Sequence, residues 1–149
     1  MLKLPWFKRR TLEKSIAFVR RARMKADVLV RGHVRCTMPL RGNTNHVGTM
    51  YAGALFTLAE MPGGGLWLGS FDTERFIPLL KEMNIRFLRA ARTDVTVEVR
   101  LDEARIESLQ ATANELGKVD FVLDAELKDA NGETVAVSQG VYQLRKRQR

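Results

Sequence analysis

The stretch from Asn43 to Gly65 constrains the fold of this chain more than any other part of the sequence. A polar loop leads to Thr49, a suitable N-cap residue, and residues 50–61 then place apolar side chains on nearly every face of a predicted helix. A helix that is apolar on all sides is normally buried, yet this one includes Glu60, and proteins rarely bury a carboxylate without a partner or a function. The Pro and three Gly at 62–65 predict that the helix kinks, stops or packs very closely there.

The length of 149 residues predicts a single domain that can bury a substantial core. The single cysteine, Cys36, excludes an intrachain disulfide, and no His, Cys and Asp residues have the spacing of metal ligands, so we expect no metal. No apolar run is long enough to span a bilayer, and the first ten residues lack the apolar segment of a signal peptide. We therefore expect a cytoplasmic protein with no membrane span.

The net charge of +8 is concentrated at the two ends of the chain. Residues 1–25 contain nine Lys and Arg against one Glu, and the tail 145–149 adds four more positive charges, so the remainder is mildly acidic. Such terminal runs are usually solvated, and no aromatic residues alternate with the cations in the manner that stacks bases, so we expect no nucleic acid partner. Two alternatives remain open: a basic module that binds nucleic acid or anionic lipid, and ends that help to hold a phosphate-bearing substrate.

The periodicity of the remaining sequence predicts a sheet of five strands and two further helices. Alternation of apolar and polar residues predicts strands over 24–38, 77–90, 95–101, 119–128 and 133–144. Helical spacing predicts one helix that begins at Thr11 and a short one over 104–116 that ends at Gly117. Because the strands have one polar face and the central helix is apolar all round, we predict an antiparallel sheet wrapped around that helix.

The same alternation assigns individual side chains within the strands. Cys36 falls on the core face of the first strand, and His33 falls on its polar face, where solvation is expected. Lys81 falls on the apolar face of the second strand, which makes it a candidate ion-pair partner for a buried Glu60. Asn131-Gly132 predicts a hairpin turn, and Gly140 suggests a bulge in the last strand.

The order of elements and the run from Asn45 to Glu60 resemble the hotdog-fold acyl-CoA thioesterases of the phenylacetyl-CoA (PaaI-like) type and the branch with YiiD C-terminal-domain-like proteins. In that motif an Asn precedes Gly-Thr, a His-Gly-Gly opens the helix, and a carboxylate follows nine residues after the His. Here Tyr51 stands in the His place, Ala52 and Gly53 in the two Gly places, and Glu60 in the carboxylate place. Many relatives also have a Ser or Thr on the next strand, which residues 79–84 lack.

The resemblance implies a single α+β hotdog domain over 1–149, with a core at about 24–145, an N-terminal helix in the basic segment 1–23, and a basic tail at 145–149. Its sheet is expected to have five antiparallel strands around the long central helix, with the short helix inserted between the third and fourth strands. The expected activity is hydrolysis of an acyl-CoA or acyl-carrier-protein thioester. Coenzyme A would enter as part of the substrate, and no separate cofactor is expected.

The resemblance also assigns roles to site residues. The Ala52 N–H would donate to the oxyanion, Glu60 would act as general base or nucleophile, and Asn45 would hold the substrate carbonyl or the water. The remaining substrate contacts are predicted at Gly53, Tyr51, Thr49, Lys81 and Asn84.

The spacing of Ala52 and Glu60 adds a constraint on assembly. Eight residues of helix separate them by roughly 12 Å along its axis, so both cannot contact one thioester from the same chain. An antiparallel partner would bring its Glu60 to this chain's Ala52 and create two shared sites. We therefore expect a homodimer, or a tetramer built from such dimers.

Three other interpretations stay beside this one. The Tyr51 and Ala52 replacements and the missing Ser or Thr suggest a hotdog protein that binds acyl thioesters without efficient turnover. Alternatively, Glu60 is structural and pairs with a cation such as Lys81. A hydratase, the other hotdog chemistry, is disfavoured because the loop and helix start contain no Asp-x-x-x-x-His pair.

Overall fold

The computed structural model describes residues 5–148, in which four helices and six strands are formed. The helices are α1 (Pro5–Lys14), α2 (Ala17–Ala22), α3 (Ala52–Ser70) and α4 (Glu103–Leu116). The strands are β1 (Lys25–Val30), β2 (His33–Met38), β3 (Phe76–Phe87), β4 (Val95–Arg100), β5 (Lys118–Lys128) and β6 (Thr134–Lys146). Met1–Leu4 of the predicted basic lead and Arg149 of the predicted tail lie outside the described residues.

All six strands pair antiparallel in one sheet, in the order β1-β2-β4-β5-β6-β3, so that β1 and β3 form its two edges. Helix α3 lies along one face of this sheet and contacts all six strands. Its central side chains Leu58 and Leu66 are fully buried, and this burial of apolar surface stabilises the arrangement. The prediction of an α+β hotdog fold, an antiparallel sheet around a long central helix, is confirmed.

The sheet has six strands where the sequence predicted five, because the first predicted strand is a hairpin. Gly32 has φ +74° in the turn between β1 and β2, and the Leu101 N–H donates to its carbonyl at 2.9 Å. A bulge at Asp27 shifts the alternation of side chains within β1, so that odd-numbered residues face the core after it. Leu29 is therefore buried and Val30 is 48% exposed. The turn between β1 and β2 has two residues, which is one full period of the strand alternation. The pattern of apolar and polar residues is therefore continuous across 24–38.

Helix α3 differs from its predicted bounds at both ends. It begins after Tyr51, so the prediction of Thr49 as N-cap is wrong, and it continues through Pro62 to Ser70. The prediction of very close packing at the glycines is confirmed, since a Cβ on Gly63 would lie 2.1 Å from the Tyr142 ring. The absence of side chains lets the sheet approach this part of the helix closely.

The N-terminal segment forms two helices instead of one that begins at Thr11. Helix α1 begins at Pro5, a favourable first helical position, and buries Leu12 against the core. The chain then turns at Ile16, which is half exposed, and α2 buries Val19. Only part of the predicted apolar stripe therefore faces the core.

The second half of the chain follows its predicted order. Helix α4 is capped by the Asp102 carboxylate, which accepts from the Arg105 N–H at 2.7 Å, and ends at Gly117 with φ +83°. Gly140 is paired regularly on both sides, so the predicted bulge at Gly140 is wrong, and the irregularity in β6 lies at Val135 instead. Cys36 is buried as predicted, and this burial raises the pKa of its thiol to about 12.

No helix within residues 5–148 combines the length and the apolar character needed to cross a membrane. Among the same residues, no group of three His, Cys, Asp or Glu side chains is arranged to hold a metal ion.

Candidate active site

The loop before α3 is organised by Asn45. Its side-chain oxygen accepts from the N–H groups of Val47 and Thr49 at 3.0 and 3.1 Å, and its amide nitrogen donates to the Thr49 hydroxyl at 2.8 Å. This is a local turn of the kind that Asn favours. One of the two amide N–H donors of Asn45 is left for another partner.

Asn43 fixes the same loop to the body of the protein. Its amide donates to the backbone oxygens of Ala22 and Pro39, each at 2.8 Å, and its own carbonyl accepts from the Tyr51 N–H at 2.8 Å. The loop therefore delivers the chain to the first turn of α3 in a defined orientation. These contacts make Asn43 a structural residue of the loop.

The N-terminus of α3 presents backbone donors to the surface. No side chain caps it, and Ala52 and Gly53 begin the helix, where N–H groups have no intrahelical acceptor. Ala52 itself is exposed, so this end of the helix lies at the surface. The Tyr51 ring, 55% exposed, lies against Gly53, where a Cβ would approach within 2.5 Å of the ring.

Glu60 lies in the middle of α3 with its carboxylate mostly removed from water. This burial raises the pKa of Glu60 above the ordinary value of 4.5. Among the described residues no cation forms an ion pair with it. A carboxylate of this kind accepts a proton more readily than an exposed one does.

Lys81 does not pair with Glu60, which corrects the pairing suggested by the sequence. It is the extra residue of a bulge in β3, between Leu80 and Glu82, and the bulge reverses the side to which it points. Its ammonium group donates to the Asp120 carboxylate at 2.6 Å, and both side chains are nearly half exposed. Asn84, the other site residue predicted on β3, is also exposed along this edge strand.

A pocket of about 220 Å³ opens beside Glu60. Apolar side chains dominate its walls, and Glu60 is the only ionisable side chain among them apart from the Tyr142 phenol. The walls come from α1 and the turn after it, from α3, and from β3 and β6: Thr11, Leu12, Ser15, Ile16, Met61, Gly64, Trp67, Leu68, Pro78, Leu79, Leu80 and Tyr142.

The sequence analysis missed Tyr142 as a member of this site. Its hydroxyl donates to the backbone oxygen of Glu60 at 2.9 Å, and its ring stacks on Phe121 with centroids 5.8 Å apart. The glycines at 63 and 140 leave the space that the ring occupies. The sequence interpretation assigned these glycines to close helix packing and to a bulge, and together they were the available signal that a large side chain packs there.

The predicted site residues fall into two groups. Asn45, Thr49, Tyr51, Ala52 and Gly53 lie together at the start of α3, whereas Glu60 lies more than two turns further along. Helix α3 runs antiparallel to β3, since the Met50 N–H donates to the Ala91 oxygen just beyond one end of β3, and Glu60 shares its pocket with Leu80 near the other. One chain alone therefore presents the donors and the carboxylate at separate positions.

Residues 6–143 match the family model described as a domain of unknown function, DUF4442. The chain belongs to the DUF4442 family. Comparison with curated proteins gives no match.

Solved structures similar to this DUF4442 protein include a Pseudomonas aeruginosa protein of unknown function that is described as a probable thioesterase. It is 52% identical, with a TM-score of 0.91 and coverage of 95% of each chain. A thioesterase from the same organism, solved as a mutant, is 17% identical, with a TM-score of 0.74 and coverage of 99% of this chain and 97% of that one. A Haemophilus influenzae thioesterase is 16% identical, with a TM-score of 0.67 and coverage of 89% and 85%.

These comparisons agree with the resemblance to the hotdog thioesterase superfamily drawn from the sequence. The two distant structures establish the shared fold. The 52% identical Pseudomonas aeruginosa protein has the same architecture over nearly the whole chain. The roles of Glu60, Asn45 and Ala52 stay predictions.

Proposed function

We propose that this chain is a cytoplasmic thioesterase that hydrolyses an acyl-CoA or acyl-carrier-protein thioester at a site shared between two protomers. The observation that carries the proposal is Glu60, a desolvated carboxylate with no cationic partner among the described residues, at the wall of an apolar pocket. The name of the 52% identical relative, a probable thioesterase, supports the same chemistry.

The proposed reaction uses Glu60 as a general base. The carboxylate takes a proton from water while the water oxygen attacks the thioester carbonyl carbon, and the carbonyl oxygen becomes negatively charged. The Ala52 N–H, at the positive end of a helix, donates to that oxygen. The C–S bond then breaks, and the leaving sulfur takes the proton from Glu60. A raised pKa makes the Glu60 carboxylate a stronger base for the first proton transfer, and the resulting carboxylic acid is still acidic enough to protonate a thiolate.

The pocket beside Glu60 supports an uncharged acyl group as the substrate. An apolar chain gains free energy when it leaves water for such walls, whereas a second carboxylate on the acyl group would find no cation among the pocket residues. The Lys81 ammonium is engaged with Asp120 outside these walls. Acyl groups with a free terminal carboxylate are therefore expected to be poor substrates.

A dimer supplies what one chain lacks. A two-fold axis that pairs the edge strand β3 with its copy would place the two α3 helices antiparallel to each other. This would bring Ala52 of one protomer towards Glu60 of the other. Exposed apolar side chains along β3 and just after it, at the loop before α3 and on the first turns of α3 support an interface there. They are Val47, Tyr51, Phe56, Leu79, Leu80, Phe87 and Leu88.

The experiment that tests both the chemistry and the shared site is complementation between two inactive variants. Ala52→Pro removes one N–H at the first helical position, where Pro is favourable. The preceding residue, Tyr51, already has the extended backbone that a following Pro requires, with φ −60° and ψ 137°. Glu60→Gln removes the base. Each homodimer should lose about 10²- to 10³-fold or more in turnover of an acyl-CoA panel.

Mixed protomers should then regain activity. A heterodimer has one site with both lesions and one intact site, so free exchange of subunits should restore about a quarter of wild-type turnover. Ala52→Gly keeps the N–H and serves as the matched control, with turnover close to wild type. Absence of recovery after verified exchange would place both groups in one chain and would refute the shared site, and full activity of Glu60→Gln would refute the base.

One observation favours a second candidate function, binding of acyl thioesters without turnover. The Tyr51 ring covers Gly53 at the helix end where the thioester oxygen would bind. A wild-type protein that binds a non-hydrolysable thioether analogue by calorimetry, yet leaves every acyl-CoA of the panel intact, would support this function and not the first.

A further inference from the structure

The exposed end of α1 carries an aromatic and basic surface that the thioesterase proposal does not use. We define this aromatic-basic patch as Trp6, Phe7, Arg9, Arg10 and Lys25. The Trp6 and Phe7 rings contact each other edge to face, with centroids 6.2 Å apart, and they are 52% and 50% exposed. Trp6, Arg9, Arg10 and Lys25 border one shallow depression between α1 and β1.

The acidic groups at this depression are engaged in interactions within the protein. The Glu13 carboxylate accepts from the Ala26 N–H at 2.9 Å, and the Asp27 carboxylate accepts from the Thr37 hydroxyl at 2.5 Å. The same N-terminal segment carries further exposed cations on α1, on α2 and just after α2: Lys14, Arg20, Arg21 and Arg23. Glu13 and Asp27 keep their negative charges in these hydrogen bonds, but the Lys and Arg residues of this N-terminal segment outnumber them. The surface around the two exposed rings is therefore net positive.

We propose that the aromatic-basic patch docks the protein on an anionic lipid surface. Tryptophan rings favour the boundary between headgroups and acyl chains, and Lys and Arg beside them attract anionic headgroups. The cytoplasmic leaflet supplies such a surface. Helix α1 is anchored for this role, because Arg9 donates to the Asp27 backbone oxygen at 3.1 Å and Leu12 is buried.

The geometry favours lipid over nucleic acid. Trp6 and Phe7 meet at 81°, so together they form a compact apolar wedge and not a pair of parallel platforms for stacked bases. A wedge of this kind gains free energy by leaving water for the acyl boundary, which a nucleic acid backbone does not offer. Docking requires no hydrolysis, so it can be tested independently of the proposed enzyme activity.

The test is flotation of the full chain with vesicles of phosphatidylcholine alone and of phosphatidylcholine with phosphatidylglycerol in equal parts. We expect binding to the anionic vesicles only, weakened by salt. The Trp6→Ser/Phe7→Ser variant and the Arg10→Gln/Lys25→Gln variant should each bind on the order of tenfold more weakly. Matched controls remove exposed apolar or basic side chains elsewhere, Leu116→Ser/Val122→Ser and Arg105→Gln/Lys118→Gln, and should bind like wild type.

A measurement on the wild-type chain guards against variants that unfold. Vesicles with brominated acyl chains should quench tryptophan fluorescence when Trp6 inserts, whereas Trp67, whose indole N–H donates to the Phe76 oxygen at 2.9 Å, should stay unquenched in the Trp6→Phe variant. Absence of binding to anionic vesicles, or equal binding by the patch variants and the controls, would overturn the proposal. Binding of a DNA duplex through the same residues, with no vesicle binding, would overturn it in favour of nucleic acid.

Discussion

The Tyr142 hydroxyl donates a hydrogen bond of 2.9 Å to the backbone carbonyl oxygen of Glu60. This bond ties β6 to α3 at the residue whose carboxylate we propose as the base. The ring that carries the hydroxyl fills the space over Gly63 and Gly140, where Cβ atoms would come within 2.1 and 2.6 Å of it. The position of Glu60 therefore depends on a tyrosine far away in the sequence and on two glycines that make room for it.

Tyr142→Phe removes this hydrogen bond and leaves the ring in place. We expect the free energy of unfolding to fall by about 1 kcal/mol, since the lost bond is partly buried. Thermal or denaturant unfolding measures this change. Tyr51→Phe is the matched control, because Tyr51 is more than half exposed, and its effect on stability should be within about 0.5 kcal/mol. Equal stability of the Tyr142→Phe variant and wild type would contradict a stabilising bond.

Neighbouring glycines in α3 give a pair of opposite predictions. Gly63→Ala would place its methyl group 2.1 Å from the Tyr142 ring, so the ring must move, and we expect a loss of about 1–3 kcal/mol in the free energy of unfolding. Gly64→Ala meets only the Leu12 side chain at 3.6 Å, and alanine favours the helix, so we expect up to about 1 kcal/mol of added stability. Equal effects of the two substitutions would show that Tyr142 does not pack on Gly63.

The pH dependence of stability reports on Glu60. Because burial raises its pKa in the folded chain above the ordinary value of 4.5, the folded state binds a proton more tightly than the unfolded state does. The contribution of Glu60 to wild-type stability should therefore fall as the pH rises from 4.5 through the raised pKa. The Glu60→Gln variant lacks this titration. The free energy of unfolding of the variant relative to wild type should therefore be higher near neutral pH than below pH 4.5.

Denaturant unfolding of both proteins across this pH range measures the difference. Glu74→Gln, which removes an exposed carboxylate in the loop after α3, controls for the loss of one charge and should change stability by less than about 0.5 kcal/mol. A difference between Glu60→Gln and wild type that is independent of pH would contradict the raised pKa.

Local signals in the sequence predicted the parts of the fold that depend on local physics. Helix α4 was predicted because an apolar stripe and Gly117 mark its face and its end. The apolar central helix was recognised because no polar face interrupts it, and the motif from Asn45 to Glu60 then indicated the hotdog fold. These features depend on neighbouring residues, and no knowledge of distant contacts was needed for them.

The features that were missed depend on contacts between distant residues. The continuation of α3 through Pro62 is compatible with packing of Tyr142, far along the chain, against the glycines. The bulge at Lys81 depends on its register with β6, and it redirects a side chain whose sequence alternation pointed to the core. The pocket beside Glu60 combines α1, α3, β3 and β6, so no single segment of sequence could indicate it.

If the chain is the proposed thioesterase, the turn after α1 should control the length of acyl chain that it accepts. Ser15 lies at the wall of the pocket beside Glu60 and is exposed, so Ser15→Phe can add a large side chain there without disturbing the buried core. We expect kcat/KM for longer acyl-CoA substrates to fall by at least about tenfold, because the last methylenes of the chain lose their space. Turnover of the shortest acyl-CoA should change little, and steady-state kinetics over a series of chain lengths measures both.

Ser108→Phe provides the matched control for this variant. Ser108 is also an exposed serine, but it lies on α4 and is not among the residues that line the pocket, so its replacement should leave the chain-length profile unchanged. A uniform loss of activity across all chain lengths in the Ser15→Phe variant would indicate damage to the site as a whole. An unchanged profile would mean that the acyl chain does not occupy the pocket beside Glu60, and that the substrate extends from Glu60 in another direction.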